Sequence, residues 1–266
     1  MSLTQIELAT DVCTQNTISK IEKHNIAPTV NILIKICLKL GLTLNDVFSD
    51  FSNSSSSHEE SMLDVIERNI LLEHIDEVVE QMPLLEGKLN NNDMKQYELI
   101  NGVMNYWRDS YDSSLFTLDK VLQYSKSAND DIYTLLAYLF KGLNYLGQGH
   151  LDRTKYYFQM IEDSFEDDSK ILNASVLEVV FICKALAKSF NTMKMYDRAY
   201  AYSQRGLKYA NKENSSFFLD ELNFYAAESV KNNADKQAEY EDYYNLAYYL
   251  AKSNGNKRLL KAIDKH

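Results

Sequence analysis

Five short stretches in the larger, C-terminal part of this sequence look alike. They are His74-Ile75-Asp76, Ser110-Tyr111-Asp112, His150-Leu151-Asp152, Met195-Tyr196-Asp197 and Asn233-Ala234-Asp235, with aspartates spaced 36, 40, 45 and 38 residues apart. A unit that recurs at such a period cannot bury its apolar face alone, so consecutive units must stack into one continuous core. Each aspartate precedes an amphipathic helical pattern, where a carboxylate suits the helix dipole as an N-cap or first-turn residue. Ten residues before three of them stands a small residue, Gly102, Gly142 or Ala187; Ala226 lies one place off, and the first unit has Ile66 there. A small residue at that point lets two helices of a hairpin approach closely. With 8 glycines and 2 prolines in 266 residues, the chain favours long helices over a turn-rich β fold. The reading is all-α.

One boundary stands out. Ser52-Asn53-Ser54-Ser55-Ser56-Ser57 is a polar tract that cannot contribute to a core. It divides the chain into a small domain over 1–51, a serine-rich linker over 52–60 and a repeat domain over 61–266. In the small domain, Thr4 caps a helix running from Gln5 to about Asp11, with Glu7 at the capping-box spacing. Thr14 caps a second helix, Gln15 to about Lys23. Pro28-Thr29 opens a third, with Val30, Leu33, Ile34, Cys37 and Leu40 on one face, and Gly41 ends it. A last short helix starts at Asn45.

Other features narrow the function by exclusion. A net charge of −10 and a pI near 5.0 repel nucleic acid from the chain as a whole, so any DNA contact must be local. Cys13, Cys37 and Cys183 are odd in number, far apart and set in apolar helical patterns, which reads as reduced, buried thiols. Neither a membrane-spanning run nor a signal peptide is visible, so the expected compartment is the cytoplasm, with no membrane partner. The histidines His24, His58, His74, His150 and His266 are scattered, and no phosphate loop, HExxH or GxSxG motif occurs. No enzyme activity, metal or cofactor is expected.

The N-terminal segment carries a specific pattern: Leu3-Thr4-Gln5-x-x-Leu8-Ala9, then Thr14-Gln15-Asn16-Thr17-Ile18-Ser19-Lys20-Ile21-Glu22, then Pro28-Thr29, then Leu33-x-x-Ile36-x-x-x-Leu40-Gly41. Over residues 3–51 this resembles the phage-repressor helix-turn-helix of the XRE, or Cro/C1, class. The resemblance implies that the second helix enters the major groove, with Gln15, Asn16, Thr17 and Lys20 reaching base edges. It places Gln5 on a phosphate, and Ile18 and Ile21 inward against Leu8, with Glu22 structural. Domains of this class have a helix before the Leu-Thr-Gln stretch. Met1 stands at that boundary, so either the start lies further upstream or the first helix is absent. Residues 1–57 also carry four lysines (20, 23, 35, 39) against five carboxylates (7, 11, 22, 46, 50), a thin charge balance for a phosphate-binding surface.

The repeats resemble tetratricopeptide repeats over roughly residues 61–252, with a longer period. That implies an α-superhelix of about five helix pairs whose first helices line a concave groove. Reader and repeats together resemble the RNPP group, particularly its PlcR-like branch, and the related Rgg regulators of Gram-positive bacteria. These are transcription factors that respond to peptide pheromones. The resemblance implies a homodimeric quorum-sensing regulator that binds double-stranded DNA and a short signalling peptide. Asn side chains hold peptide main chain, and Lys holds carboxylates. The peptide-binding candidates on the first helices are therefore Asn105, Lys141, Asn144, Lys184 and Asn191, with Asn101 and Lys188 beside them. The alternative is a protein-interaction scaffold with a non-functional reader.

Overall fold

In the computed structural model the chain divides into two compact units, residues 1–60 and 61–266. The structure describes residues 4–24, 28–40, 61–85, 89–90, 93–124, 131–166, 171, 174–231, 233 and 236–264. Gly41, the helix expected from Asn45 and the serine tract lie outside them. No strand occurs among the described residues, and none of their helices is long and apolar enough to cross a membrane.

The first unit contains α1 (Gln5–Ala9), α2 (Gln15–His24) and α3 (Val30–Leu40). The capping box at Thr4 is formed: Glu7 N donates to Thr4 Oγ1 at 3.3 Å and Thr4 N donates to Glu7 Oε2 at 2.8 Å. Helix α1 ends earlier than the pattern suggests, at Ala9, because Thr10 turns out of the helix with ψ 128° and Asp11 follows with φ 62°. Val12 N and Cys13 N both donate to Ala9 O at 3.0 Å, which makes the connection tight. Thr17 N donates to Thr14 Oγ1 at 3.3 Å and so starts α2. The described core of this unit is Ala9, Ile18 and Cys37. Lys39 Nζ donates to Thr10 O at 2.6 Å, pinning α3 to the chain just beyond α1.

The second unit is a run of helix pairs: α4 (Met62–Leu71) with α5 (Ile75–Gln81), α6 (Met94–Trp107) with α7 (Tyr111–Tyr124), α8 (Ile132–Gly147) with α9 (Leu151–Glu166), α10 (Val176–Thr192) with α11 (Tyr196–Lys212), and α12 (Leu219–Val230) with α13 (Gln237–Asn254). A short α14 (Lys257–Ile263) follows. In the first four pairs the turn is the same. Its pivot is left-handed, at Glu73, Asp109, Gly149 and Lys194 with φ 64°, 56°, 77° and 58°. The next amide reaches back across the helix end: His74 N to Asn69 O, Ser110 N to Asn105 O, His150 N to Tyr145 O and Met195 N to Phe190 O, all at 2.8–2.9 Å. This is a Schellman closure, and it caps carbonyls that would otherwise be orphaned. It also fixes where the second helix begins, so Asp76, Asp112, Asp152 and Asp197 are first-turn residues and not N-caps. Asp235 lies outside the described residues.

The small residues mark real close approaches. A Cβ on Gly102 would lie 2.7 Å from Leu118 Cδ2, and one on Gly142 would lie 2.4 Å from Phe158 Cε1. The partner helix also bonds to these glycines: Ser114 Oγ donates to Gly102 O at 2.7 Å and Thr154 Oγ1 to Gly142 O at 3.3 Å. The aromatic residues are largely core. Phe140 stacks on Phe181 (centroids 5.8 Å) and Phe158 meets Phe190 edge-on at 5.6 Å. The first helices contact one another in series, α4 to α6 to α8 to α10 to α12, and α4 also touches α10. The inner face therefore closes on itself over the first four pairs, and buried side chains such as Ile66, Ile70, Leu136 and Phe181 occupy it.

Candidate functional site

In the first unit the sequence directs a polar stripe outward on α2. Gln15, Asn16 and Lys20 are exposed, while Ile18 beneath them is 1% exposed. Helical spacing puts Ser19 and Lys23 on the same stripe, two positions that motif reasoning passed over. Thr17 is half-buried, and its hydroxyl is engaged with Thr14 Oγ1 at 2.9 Å. Gln5 is held from the side: its Nε2 donates to Glu22 Oε2 at 2.6 Å. Glu22 thus braces α1 against α2 and fixes the direction of the Gln5 amide. The result is a short, capped helix presenting amide and ammonium groups to solvent. Such groups suit base edges and phosphates.

In the second unit the five peptide-binding candidates do not form one cluster. Lys141 is buried, donating to Asp119 Oδ1 of α7 at 2.7 Å and lying 5.1 Å from the ring centroid of Tyr157 on α9. Asn144 is fully buried, with Nδ2 donating to Ser114 Oγ of α7 at 3.0 Å and to Phe140 O at 2.7 Å. Both therefore join α8 to its outer neighbours. Asn105 is half-buried near the end of α6. Lys184 and Asn191 share α10, at the edge of the inner face.

Around them lies a charged group that sequence reasoning did not assemble. Lys184 Nζ is 3.4 Å from Glu73 Oε1 and 3.6 Å from Glu221 Oε2. It also sits over the rings of Phe181 and Phe218, at 4.8 and 4.3 Å. Glu73 reaches Arg258 of α14 with its other oxygen. Next to this group a cavity of about 430 Å³ is lined by Lys188, Asn191, Glu221, Tyr225, Asn256 and Arg258, among others. Residues from the first and last parts of the unit thus meet beside one opening, a juxtaposition with no local sequence signal.

A second acidic group bridges α4 and α10. Gln96 Nε2 donates to Glu67 Oε2 at 2.6 Å and to Asp64 Oδ1 at 3.0 Å. Burial raises the Glu67 carboxyl well above the usual carboxylate range, and the neighbouring Glu178 raises it further. Because the folded value exceeds the unfolded one, this group's contribution to stability is intact at low pH and is lost as pH rises through the folded value. Glu67→Gln keeps the shape without the charge. Its melting temperature is expected to exceed that of the parent by about 2–4 °C at pH 8, with the gap closing toward pH 4. Thermal melts across that range, followed by circular dichroism, check this.

Comparison with known proteins bears on the fold. Residues 1–47 match the helix-turn-helix family model. Among solved structures, the chain is similar to PlcR of Bacillus thuringiensis in complex with the peptide PapR7 and DNA. That similarity has 18% identity and a TM-score of 0.65, and covers 98% of this chain and 93% of that one. It is also similar to ComR from S. thermophilus in complex with DNA and its signalling peptide ComS, with 13% identity, a TM-score of 0.62, and coverage of 99% and 93%. The apo form of PlcR gives 17% identity and a TM-score of 0.64, covering 98% and 94%. The likeness is one of fold, a helix-turn-helix unit followed by helical repeats, and it agrees with the all-α architecture expected from the sequence. No curated protein matches the chain in sequence.

Proposed function

We propose that this chain is a sequence-specific transcription regulator that reads double-stranded DNA through α2 and is controlled by a short signalling peptide bound in its repeat unit. The carrying observation is the exposed stripe of Gln15, Asn16 and Lys20 on a capped helix, joined to α1 by a tight turn within a matched helix-turn-helix. Asn and Gln pair bidentately with adenine, and Lys neutralises phosphate or reads guanine. Gln5, fixed by Glu22, contributes a phosphate contact, and Thr17 offers its methyl. The protein acts in the cytoplasm as a homodimer, so two readers meet two half-sites about one helical turn apart. The peptide acts by preferring one arrangement of the repeats over another, which shifts the spacing of the readers. PlcR and ComR, each solved with DNA and a peptide, support this reading.

The test is fluorescence anisotropy with the DNA flanking the protein's own gene, across a salt series. Asn16→Ala is expected to weaken binding by about tenfold or more at the best site while sparing random DNA. Lys20→Ala should lower the slope of log K against log salt by roughly one. Equal binding to random and flanking DNA, unchanged by Asn16→Ala, would remove the α2 reading.

A further inference from the structure

The inner face closes where α4 meets α10, and two carboxyl groups stand at that contact. Glu67 of α4 and Glu178 of α10 are only 5% and 6% exposed, so water does not solvate their charge. No ion pair reaches either of them among the described residues. The lysines of the packed helices are taken: Lys95 of α6 by Asp131 at 2.7 Å, and Lys184 of α10 by Glu73 and Glu221. Asp64, one turn earlier on α4, adds a further negative charge. Tyr133 of α8 faces the same group, and its hydroxyl stays neutral because burial, then the charge of Glu67, raises it. The hydrogen bonds fall one donor short. Gln96 Nε2 has two hydrogens, and both are spent, on Glu67 Oε2 and Asp64 Oδ1. Ser61 N serves Asp64 Oδ2 at 3.2 Å, and Ser175 N serves Glu178 Oε2 at 2.5 Å. Glu67 Oε1 is buried and accepts from no described residue, a costly state for an acceptor. The other side chain within its hydrogen-bond reach is Glu178, itself an acceptor. Two bare carboxylates repel, whereas with one proton between them the same pair makes a strong O–H···O⁻ bond.

We propose that one proton held between Glu67 and Glu178 fastens α4 to α10, and that losing it lets the first helix pair move away from the fourth. The repeat unit then has two arrangements, one closed by acid and one opened by base. This device depends on neither the DNA reading nor the peptide reading. With the proton in place the pair carries one negative charge, shared across the bond. Without it the pair carries two, both out of water and with no cation beside them. Burial, then the charge of Glu178, raises the Glu67 carboxyl above its ordinary range, and the Gln96 bond offsets this only in part. The folded value lies above the unfolded one, so the fastening is complete at low pH and is lost as pH rises through the folded value. Opening the contact relieves the repulsion by admitting water. Helix α4 stays packed on α6, so the movement breaks one contact without unfolding the pair.

The experiment uses the full chain carrying Cys13→Ser; Cys37 and Cys183 are buried and escape labelling. Spin labels are attached at Glu80→Cys on α5 and Lys208→Cys on α11, both exposed positions. Each variant is first shown to be folded by circular dichroism. The separation of the labels is measured by pulsed electron resonance between about pH 5.5 and pH 9. With Glu67 present, a longer-distance population should grow with pH, its ratio to the shorter one rising up to about tenfold per pH unit above the folded value. In the Glu67→Gln background, whose amide is a permanent donor to Glu178, the shorter distance should persist throughout. Infrared spectra near pH 6 give a second readout. The C=O band of protonated carboxyl groups should be smaller in Glu67→Gln than in the parent and undiminished in Asp64→Asn. A separation that ignores pH with Glu67 present, or that changes equally in Glu67→Gln, overturns the fastening. A band of equal size in the parent and in Glu67→Gln, or none in either, overturns the shared proton.

Discussion

Gly142→Ala is expected to lower the stability of the repeat unit by about 2–3 kcal/mol, near the top of the range for overpacking a core. The added Cβ would lie 2.4 and 2.7 Å from two ring carbons of Phe158. That ring is fully buried and packed edge-on against Phe190, so it has nowhere to swing. The helices must separate instead, which also loosens the Thr154 bond to Gly142 O. Gly102→Ala is the milder comparison, because its clash is with the end of the Leu118 side chain, which can shift rotamer. Urea unfolding reads both, and Phe158→Leu should recover part of the Gly142→Ala loss in a double-mutant cycle. A Gly142→Ala midpoint equal to that of the parent would show that the pair does not pack as described.

Lys184→Met should cost about 2 kcal/mol, because it strands Glu221 and leaves Glu73 with Arg258 alone, while keeping the aliphatic stem. The Lys184 side chain is 5% exposed, and those of its partners Glu221 and Glu73 are 21% and 26% exposed, so water recovers only part of the lost pairing. Attraction to the rings of Phe181 and Phe218 is lost as well. Burial already raises the Glu221 carboxyl above its ordinary range, and Lys184 pulls it back down. Without the lysine it rises further. The penalty should therefore be largest at pH 8–9 and shrink as the pH falls and Glu221 takes up its proton. Unfolding at several pH values decides this; a pH-independent deficit would mean that packing alone was lost.

Much of the fold was legible because its signals are local. The Thr4–Glu7 capping box, the Thr14 cap and the small residues at Gly102 and Gly142 each act within a few turns of chain, and each does what its spacing suggests. The end of α1 was misjudged by two residues because nothing in Thr10-Asp11 announces a left-handed aspartate. The ligand face was harder to read. Helix α8 is buried on nearly every side, from Ile132 to Asn144, so no polar stripe separates its inner from its outer surface. Residue type alone singles out Lys141 and Asn144, and the structure engages Lys141 with α7 and α9 and Asn144 with α7. Nothing local in the sequence marks Glu73. Its partners are 111 and 185 residues away, a distance over which periodicity carries no information.

The contact of α4 with α10 has a consequence for how the unit comes apart. In an open solenoid each repeat touches only its neighbours, so ends can fray and repeats can be deleted one at a time with graded loss. Here the first pair is held by the fourth through α4 and α10 and by the last helix through Glu73 and Arg258. Loop closure over such separations must be paid before these contacts form, which slows folding and couples its parts. The ring melts as one body: removing α14 or the first pair weakens the far side as well as the near one, and the unit responds to a local event as a whole.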